Sequence, residues 1–249
     1  MTELDHVGRL GLTLHWRIKK QLVFFYEAPT ALVAPLLPPA LELQEVRPGV
    51  AIVALEVLHY KVGHFETGYR EFYEAVFAAT VQPDLSIDMP VPRFSMFAMK
   101  VISDSQEFCH SEATTIFTPT NHVPGFRIEF DEAGSSCVLW DGDARICECR
   151  NTAPETPTKP TTIWGQYFTN TRGLQRGAWR WDGLAAEHMK AGESGKMYPH
   201  ALWNGLDPAQ IGRVYRQMTS QPESTDIRFY HAGPAAPADE PPVAAPQSR

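Results

Sequence analysis

The sequence predicts a mainly β protein of the α+β kind, an antiparallel barrel or sandwich with few short helices. Two observations carry that expectation. Apolar runs rich in β-branched and aromatic residues recur at 22–26, 49–60, 72–81 and 93–102. Turns rich in Pro, Gly, Asp and Ser separate them, in place of the long helical patterns that alternate with strands in parallel α/β proteins.

The stretch 22–81 organises the chain. It opens with LVFFYEAP, read as a strand, and a short helix over 29–36 follows. That helix stops at Pro38-Pro39, because proline has no N–H to offer a continuing helix and restricts the residue before it. Residues 49–60 read as a buried strand. GYREFYEAVFAATV then joins Tyr and Glu to another apolar strand, which brings carboxylates to the edge of a hydrophobic interior. Upstream, Trp16 and Ile18 alternate with His15 and Arg17, as in a first strand or a strap.

Downstream, the prolines of 82–92 mark a loop, 93–102 is the next strand and Ser103-Asp104-Ser105 a turn. Residues 107–125 read as strand-rich. Three short strands follow over 126–151, parted by Glu132-Ala133-Gly134 and Asp141-Gly142-Asp143. A Pro/Thr connector covers 152–160, and 161–184 is aromatic and extended. Residues 207–218 predict a helix, with Asp207 as N-cap, Pro208 at its first position and Ile211, Val214, Tyr215 and Met218 at helical spacing. The tail 233–249, with five prolines and little to bury, is expected to be disordered. One domain over 1–232 results, with a core at about 22–151 and a C-terminal elaboration at 152–232.

Composition narrows the function. A 43% hydrophobic chain of 249 residues can fill a substantial core. A net charge of -7 and scattered basic residues argue against nucleic acid as partner. No apolar run reaches a membrane span and none resembles a signal peptide, so no membrane partner is expected. Four cysteines do not make a disulfide framework in a chain of this length; reduced thiols and a cytoplasmic location are expected. Neither a Gly-rich phosphate loop nor a GxSxG elbow occurs. Cys147 and Cys149 share a strand face, with Cys137 and His122 as further conceivable ligands. Their spacing fits no zinc pattern, so structural thiols, no metal and no cofactor are the expectation.

Three acids attract attention. Within a strand Glu71 and Glu74 face opposite sides, whereas in a helical turn they share a face, so one of them is expected in a pocket beside Tyr69 and Arg70. Burial there raises a carboxyl's pKa and suits it to acid–base work; solvated charges at a strand entry are the competing reading. His59 and His64 flank this region. Read as a strand, 109–119 puts Glu112 and Thr114 on one face with Ile116, and Ala113, Thr115 and Phe117 on the other.

LLPPALEL, PGVAIVALEVLHY, the Tyr-x-Glu segment GYREFYEAVFAATV and the Ser-Asp-Ser turn before SEATTIFTP together resemble the acetoacetate decarboxylase-like superfamily, over about residues 22–151. The resemblance implies a cone-shaped antiparallel β-barrel around a largely apolar cavity. In the decarboxylases a cavity lysine forms a Schiff base with a β-keto acid, and a glutamate of the Tyr-x-Glu segment lines the same cavity. Glu71 is the nearest match, with Glu74 one register alternative away. The lysine position falls on Thr118 or Thr120, and no lysine lies between Lys100 and Lys159.

The expectation is therefore an enzyme acting on a small or mid-sized carbonyl or keto-acid compound by acid–base chemistry, without a Schiff-base lysine. Its catalytic candidates are Glu71, Glu74, Arg70 and Glu112, and its substrate-binding candidates His110, Thr114, Thr118 and Tyr69. The alternatives are a non-catalytic binder of an apolar carbonyl or acyl ligand, or imine chemistry through Lys61 or Lys100. Exposed edge strands allow a homo-oligomer.

Overall fold

The computed structural model describes residues 14–63, 71–82, 95–115, 118–133, 135–151, 159–170, 173–188, 195–220 and 225–234. Strands dominate them. β1 (Leu14–Pro29) leads into a single helical turn, α1 (Thr30–Val33), continued as a 3-10 turn over Ala34–Leu36. β2 (Glu45–Arg47), β3 (Val50–Gly63), β4 (Phe72–Val81) and β5 (Ser95–Ser103) follow. Each long strand covers a run the sequence marks as apolar, because alternate side chains here bury on two different faces.

Residues 106–115 correct the sequence reading. They form α2 (Gln106–Thr115), not a strand. Ser105 caps the helix, its Oγ accepting from the N–H of Phe108 at 3.1 Å. Short β6 (Thr120–His122) then runs parallel to β5.

β7 (Phe126–Phe130), β8 (Ser136–Asp141) and β9 (Ala144–Arg150) form the expected meander. Gly142, at φ 57°, makes the two-residue turn between the last two. The long hairpin β10 (Lys159–Asn170) and β11 (Gly173–His188) comes next, then β12 (Gly195–Met197), β13 (Val214–Ser220) and β14 (Thr225–Pro234).

The helix expected over 207–218 is absent. Asp207 does cap a turn and Pro208 opens it, but the turn is a 3-10 turn over Pro208–Gln210, and the chain then enters β13. Pairing with β1 wins over local helical spacing: the Gly212 N–H donates to the Glu27 carbonyl at 2.7 Å, and a register shift between Phe25 and Tyr26 follows. Gly233 and Pro234, assigned to the tail, belong to β14 and pair with β11; 235–249 lie outside the described residues.

Two sheets result. The larger runs β13-β1-β14-β11-β10-β5-β4-β3-β2, with β6 on β5 and further pairings β1–β3 and β11–β13. The smaller runs β12-β9-β8-β7. Side-chain alternation divides the core accordingly. Leu22, Phe24, Tyr26, Val53, Leu55 and Phe77 pack against the smaller sheet and Trp203. Val23, Phe25, Ala54, Leu58, Tyr60, Phe72 and Trp179 line the opposite, inner side of the large sheet.

Candidate active site

Glu56 sits within an apolar strand at the same parity as Ile52, Ala54, Leu58 and Tyr60, so the pleat turns it onto the inner side. It is 7% exposed and accepts a 2.6 Å hydrogen bond from Gln21 Nε2. Glu74 is paired in register with Leu58 and is 4% exposed; Tyr60 donates its hydroxyl proton to Glu74 Oε2 at 2.7 Å. Glu112 reaches the same interior from α2, where Phe108, Cys109 and Glu112 form the buried stripe. It is 1% exposed, and the Thr120 hydroxyl donates to it.

Among the described residues, no lysine, arginine or histidine pairs with any of the three carboxyls. Burial therefore sets their chemistry. Desolvation lifts Glu56 to about 7 against the partial relief from Gln21, and lifts Glu112 to about 8 against that from Thr120. Glu74 rises well above the carboxylate range through burial first and then the nearby Glu112; its bond from Tyr60 acts the other way. Burial and the same carboxyls raise the Tyr60 phenol. Buried acids that titrate near or above neutral pH can both donate and accept protons there.

The sequence-predicted residues divide. Glu74 and Glu112 are both buried, and Glu112 is near enough to raise the pKa of Glu74 further. Thr118 is buried as well, its Oγ1 without a hydrogen-bond partner among the described residues. Glu71 stands at the surface: its side chain is 49% exposed, Lys19 Nζ donates to both its oxygens at 3.1 Å, and His59 Nε2 lies 3.2 Å away. Lys19 holds its pKa below the usual range. His59 is pushed down, chiefly by burial, and packs on Tyr73. His110 is exposed on α2. Tyr69, Arg70 and His64 lie outside the described residues, and so does the side chain of Thr114. Sequence reasoning passed over Glu56 and Tyr60, although a lone acid inside VAIVALEVLHY was the available signal.

The lysines bear on mechanism. Lys19, Lys20, Lys61, Lys100 and Lys196 are all partly or fully exposed, and Lys100 donates to Asn121 at 3.2 Å. The thiols are structural in placement. Cys137 lies opposite Cys149, whose Sγ is 3.6 Å from that of Cys147, beneath Tyr26 in the outer core. The described residues hold no group of three His, Cys, Asp or Glu arranged for a metal. A groove of about 440 Å³ on the smaller sheet, lined by Glu129, Val138 and Glu148 among others, includes none of the three carboxyls.

No protein-family model and no curated protein matches this sequence. Solved structures do match its backbone. The acetoacetate decarboxylase of Legionella pneumophila superposes with a TM-score of 0.59 at 15% identity, covering 90% of this chain and 87% of that one. A second acetoacetate decarboxylase gives 0.59 at 11% identity over 94% and 97%. The fold is that of acetoacetate decarboxylase. The enduracididine biosynthesis enzyme MppR, in its complex with pyruvate, shares the fold, with a TM-score of 0.56 at 13% identity and 88% of each chain covered. The acetoacetate decarboxylase fold thus extends over the C-terminal strands as well as the segments whose motifs pointed to it.

Proposed function

We propose that this chain is an enzyme of the acetoacetate decarboxylase-like superfamily that acts on a small or mid-sized carbonyl or keto-acid compound by acid–base chemistry, without a Schiff-base lysine. The observation that carries the reading is the buried set Glu56, Glu74 and Glu112, raised in pKa and with no cation beside it among the described residues. The pairings β1–β3 and β1–β14 support a large sheet wrapped into a barrel around this set. Thr120, one of the two positions aligned with the family's lysine, holds Glu112 in place.

In this reading Glu74 and Glu112 form the working pair. A protonated carboxyl hydrogen-bonds the substrate carbonyl oxygen, and its neighbour, as carboxylate, takes the proton from the adjacent carbon. The C–H electron pair moves into a C=C bond as the carbonyl oxygen receives the acid's proton, giving an enol. Return of a proton elsewhere completes an isomerisation; departure of a β-hydroxyl as water completes a dehydration. A group titrating near 8 is matched to neutral operating pH, and such proton transfers contribute about 10²- to 10⁴-fold.

Turnover of a panel of α- and β-keto acids tests this. Glu74→Gln and Glu112→Gln are each expected to lower kcat at least about 100-fold, with Glu71→Gln within about twofold. Borohydride with the same panel is expected to leave no adduct by intact mass. Unimpaired turnover in both interior variants, or a trapped adduct on Lys61 or Lys100, overturns the assignment. An apolar carbonyl ligand that binds and is never turned over would make the chain a binding protein instead.

A further inference from the structure

The thiols that help to fill the outer core also meet one another. Cys137 of β8 and Cys149 of β9 stand opposite in register and so share a face of the smaller sheet, and Cys147 lies on the same side two residues back along β9. All three are buried. Cys149 Sγ is 3.6 Å from Cys147 Sγ and 3.9 Å from the Tyr26 hydroxyl.

The backbone singles out one pair of the three. The Asn151 N–H donates to the Ser135 carbonyl at 2.7 Å, and Cys137 and Cys149 lie two residues further along their strands. They therefore occupy a hydrogen-bonded pair site, where Cα atoms are about 5.5 Å apart, within the commonest separation of a disulfide. Cys147 and Cys149, two residues apart on one extended strand, are about 6.8 Å apart, at the limit a disulfide spans. On its other side Cys149 is opposite Gly195 of β12, a residue with no side chain. Cys137, Cys149 and Gly195 border the groove of about 440 Å³ on this sheet, so the pair adjoins open space.

The cluster is asymmetric. Hydrogen bonds from Cys137 first and Cys147 second, with a further one from Tyr26, draw Cys149 well below the usual thiol range against the effect of burial. Cys137, chiefly through its bond to Cys149, and Cys147, chiefly through burial, are raised. Cys109, the fourth thiol, stands apart on α2 and is pushed up to about 12 by burial and then by Glu112. The thiolate is the nucleophilic form of cysteine, so the cluster holds one attacking sulfur and, opposite it, a protonated thiol placed to resolve the product.

We propose that Cys137 and Cys149 form a site of reversible oxidation by hydroperoxides, separate from the carboxyl cluster. The Cys149 thiolate attacks the terminal peroxide oxygen; the O–O bond breaks, the alkoxide or hydroxide leaves and takes a proton from solvent, and Cys149 becomes a sulfenic acid. The Cys137 sulfur then attacks the Cys149 sulfur; the S–O bond breaks, and the departing hydroxide combines with the Cys137 proton as water. The two thiols lose two electrons, the peroxide is reduced to an alcohol or water, and a disulfide joins β8 to β9. A dithiol reductant reverses the bridge by exchange.

The full chain, Cys149→Ser, Cys137→Ser and Cys147→Ser would be treated with hydrogen peroxide under native conditions, alkylated without reduction and read by intact mass and peptide mapping. The native chain is expected to lose two hydrogens and to yield a Cys137–Cys149 bridge that dithiothreitol removes, with Cys149 modified at least about 10-fold faster than Cys109. Cys149→Ser should form no bridge. Cys137→Ser should stop at a sulfenic acid on Cys149, captured by dimedone. Cys147→Ser should still form the bridge, since a hydroxyl donates as the thiol does. Far-UV circular dichroism controls for folding, and where a variant fails that control the native map and the ratio to Cys109 decide. A bridge to Cys147, in the native chain or in Cys137→Ser, overturns the proposal. So does Cys149 modified no faster than Cys109, or a bridge that forms only after denaturant has unfolded the chain.

Discussion

Glu56 and Glu112 tie the interior to pH. Their folded values of about 7 and about 8 exceed the ordinary carboxyl value of 4.5, so between these limits the folded chain holds protons that the unfolded chain has released. Their contribution to stability is fully present below 4.5 and is lost as pH rises through 7 to 8. At about 1.4 kcal/mol per pKa unit the loss amounts to a few kcal/mol for each group. Thermal unfolding from pH 5 to 9 should show Tm falling across that window, with Glu56→Gln and Glu112→Gln each flattening the fall. A native curve that is level or rising, or variants as steep as the native chain, would contradict the burial argument. Much of this was legible from strand parity. Odd spacing separates Glu71 from Glu74, and an acid at the parity of Ile52 and Leu58 must share their side. Which side is dry is a tertiary fact that parity cannot supply.

At the scale of elements, two segments misled sequence reasoning for opposite reasons. In α2 the inward stripe is Phe108, Cys109 and Glu112, so the apolar period breaks at the residue of functional interest; the β-branched Thr114-Thr115 then points to a strand. Ser105, with Glu107 in the first turn, was the readable helix start. In 207–218 a helical period was present without a helix: the chain runs as β13, and the register shift opposite Tyr26 buries Val214 on one side of the large sheet and Tyr215 and Met218 on the other. Since Ser105 Oγ satisfies an otherwise unpaired helix N–H, Ser105→Ala should cost about 1 kcal/mol in denaturant unfolding. It should also loosen the placement of Glu112, so Ser105→Ala is expected to lower kcat more than it raises KM. A loss confined to stability would show that the cap does not position Glu112.

For the whole molecule, the decisive contacts join distant parts of the chain. β1 pairs with β3, β13 and β14, and β5 runs parallel to β10. Local patterns carry no partner information, which is why the motifs resembling the superfamily ended near residue 151 while the shared fold runs on through the C-terminal strands. Trp203 shows how the two sheets are bound into one core. It is fully buried, meets Phe77 of β4 edge-on at 5.4 Å and donates its indole N–H to the Tyr198 carbonyl at 2.6 Å. Around it Ile102 of the large sheet and Leu139 and Ile146 of the small one belong to the same apolar cluster. Removing a buried tryptophan costs about 3–5 kcal/mol, because the cavity cannot fully collapse. If the sheets fold as one unit, Trp203→Ala should lower the free energy of unfolding by that amount in a single transition, with the same midpoint by far-UV circular dichroism and by exposure of the four thiols. Cys137, Cys147 and Cys149 report on the small sheet and Cys109 on α2 against the large one, so both sheets are observed in one titration. Two separated transitions, or a cost under about 1 kcal/mol, would mean that each sheet holds its own core and that Trp203 only fills space between them.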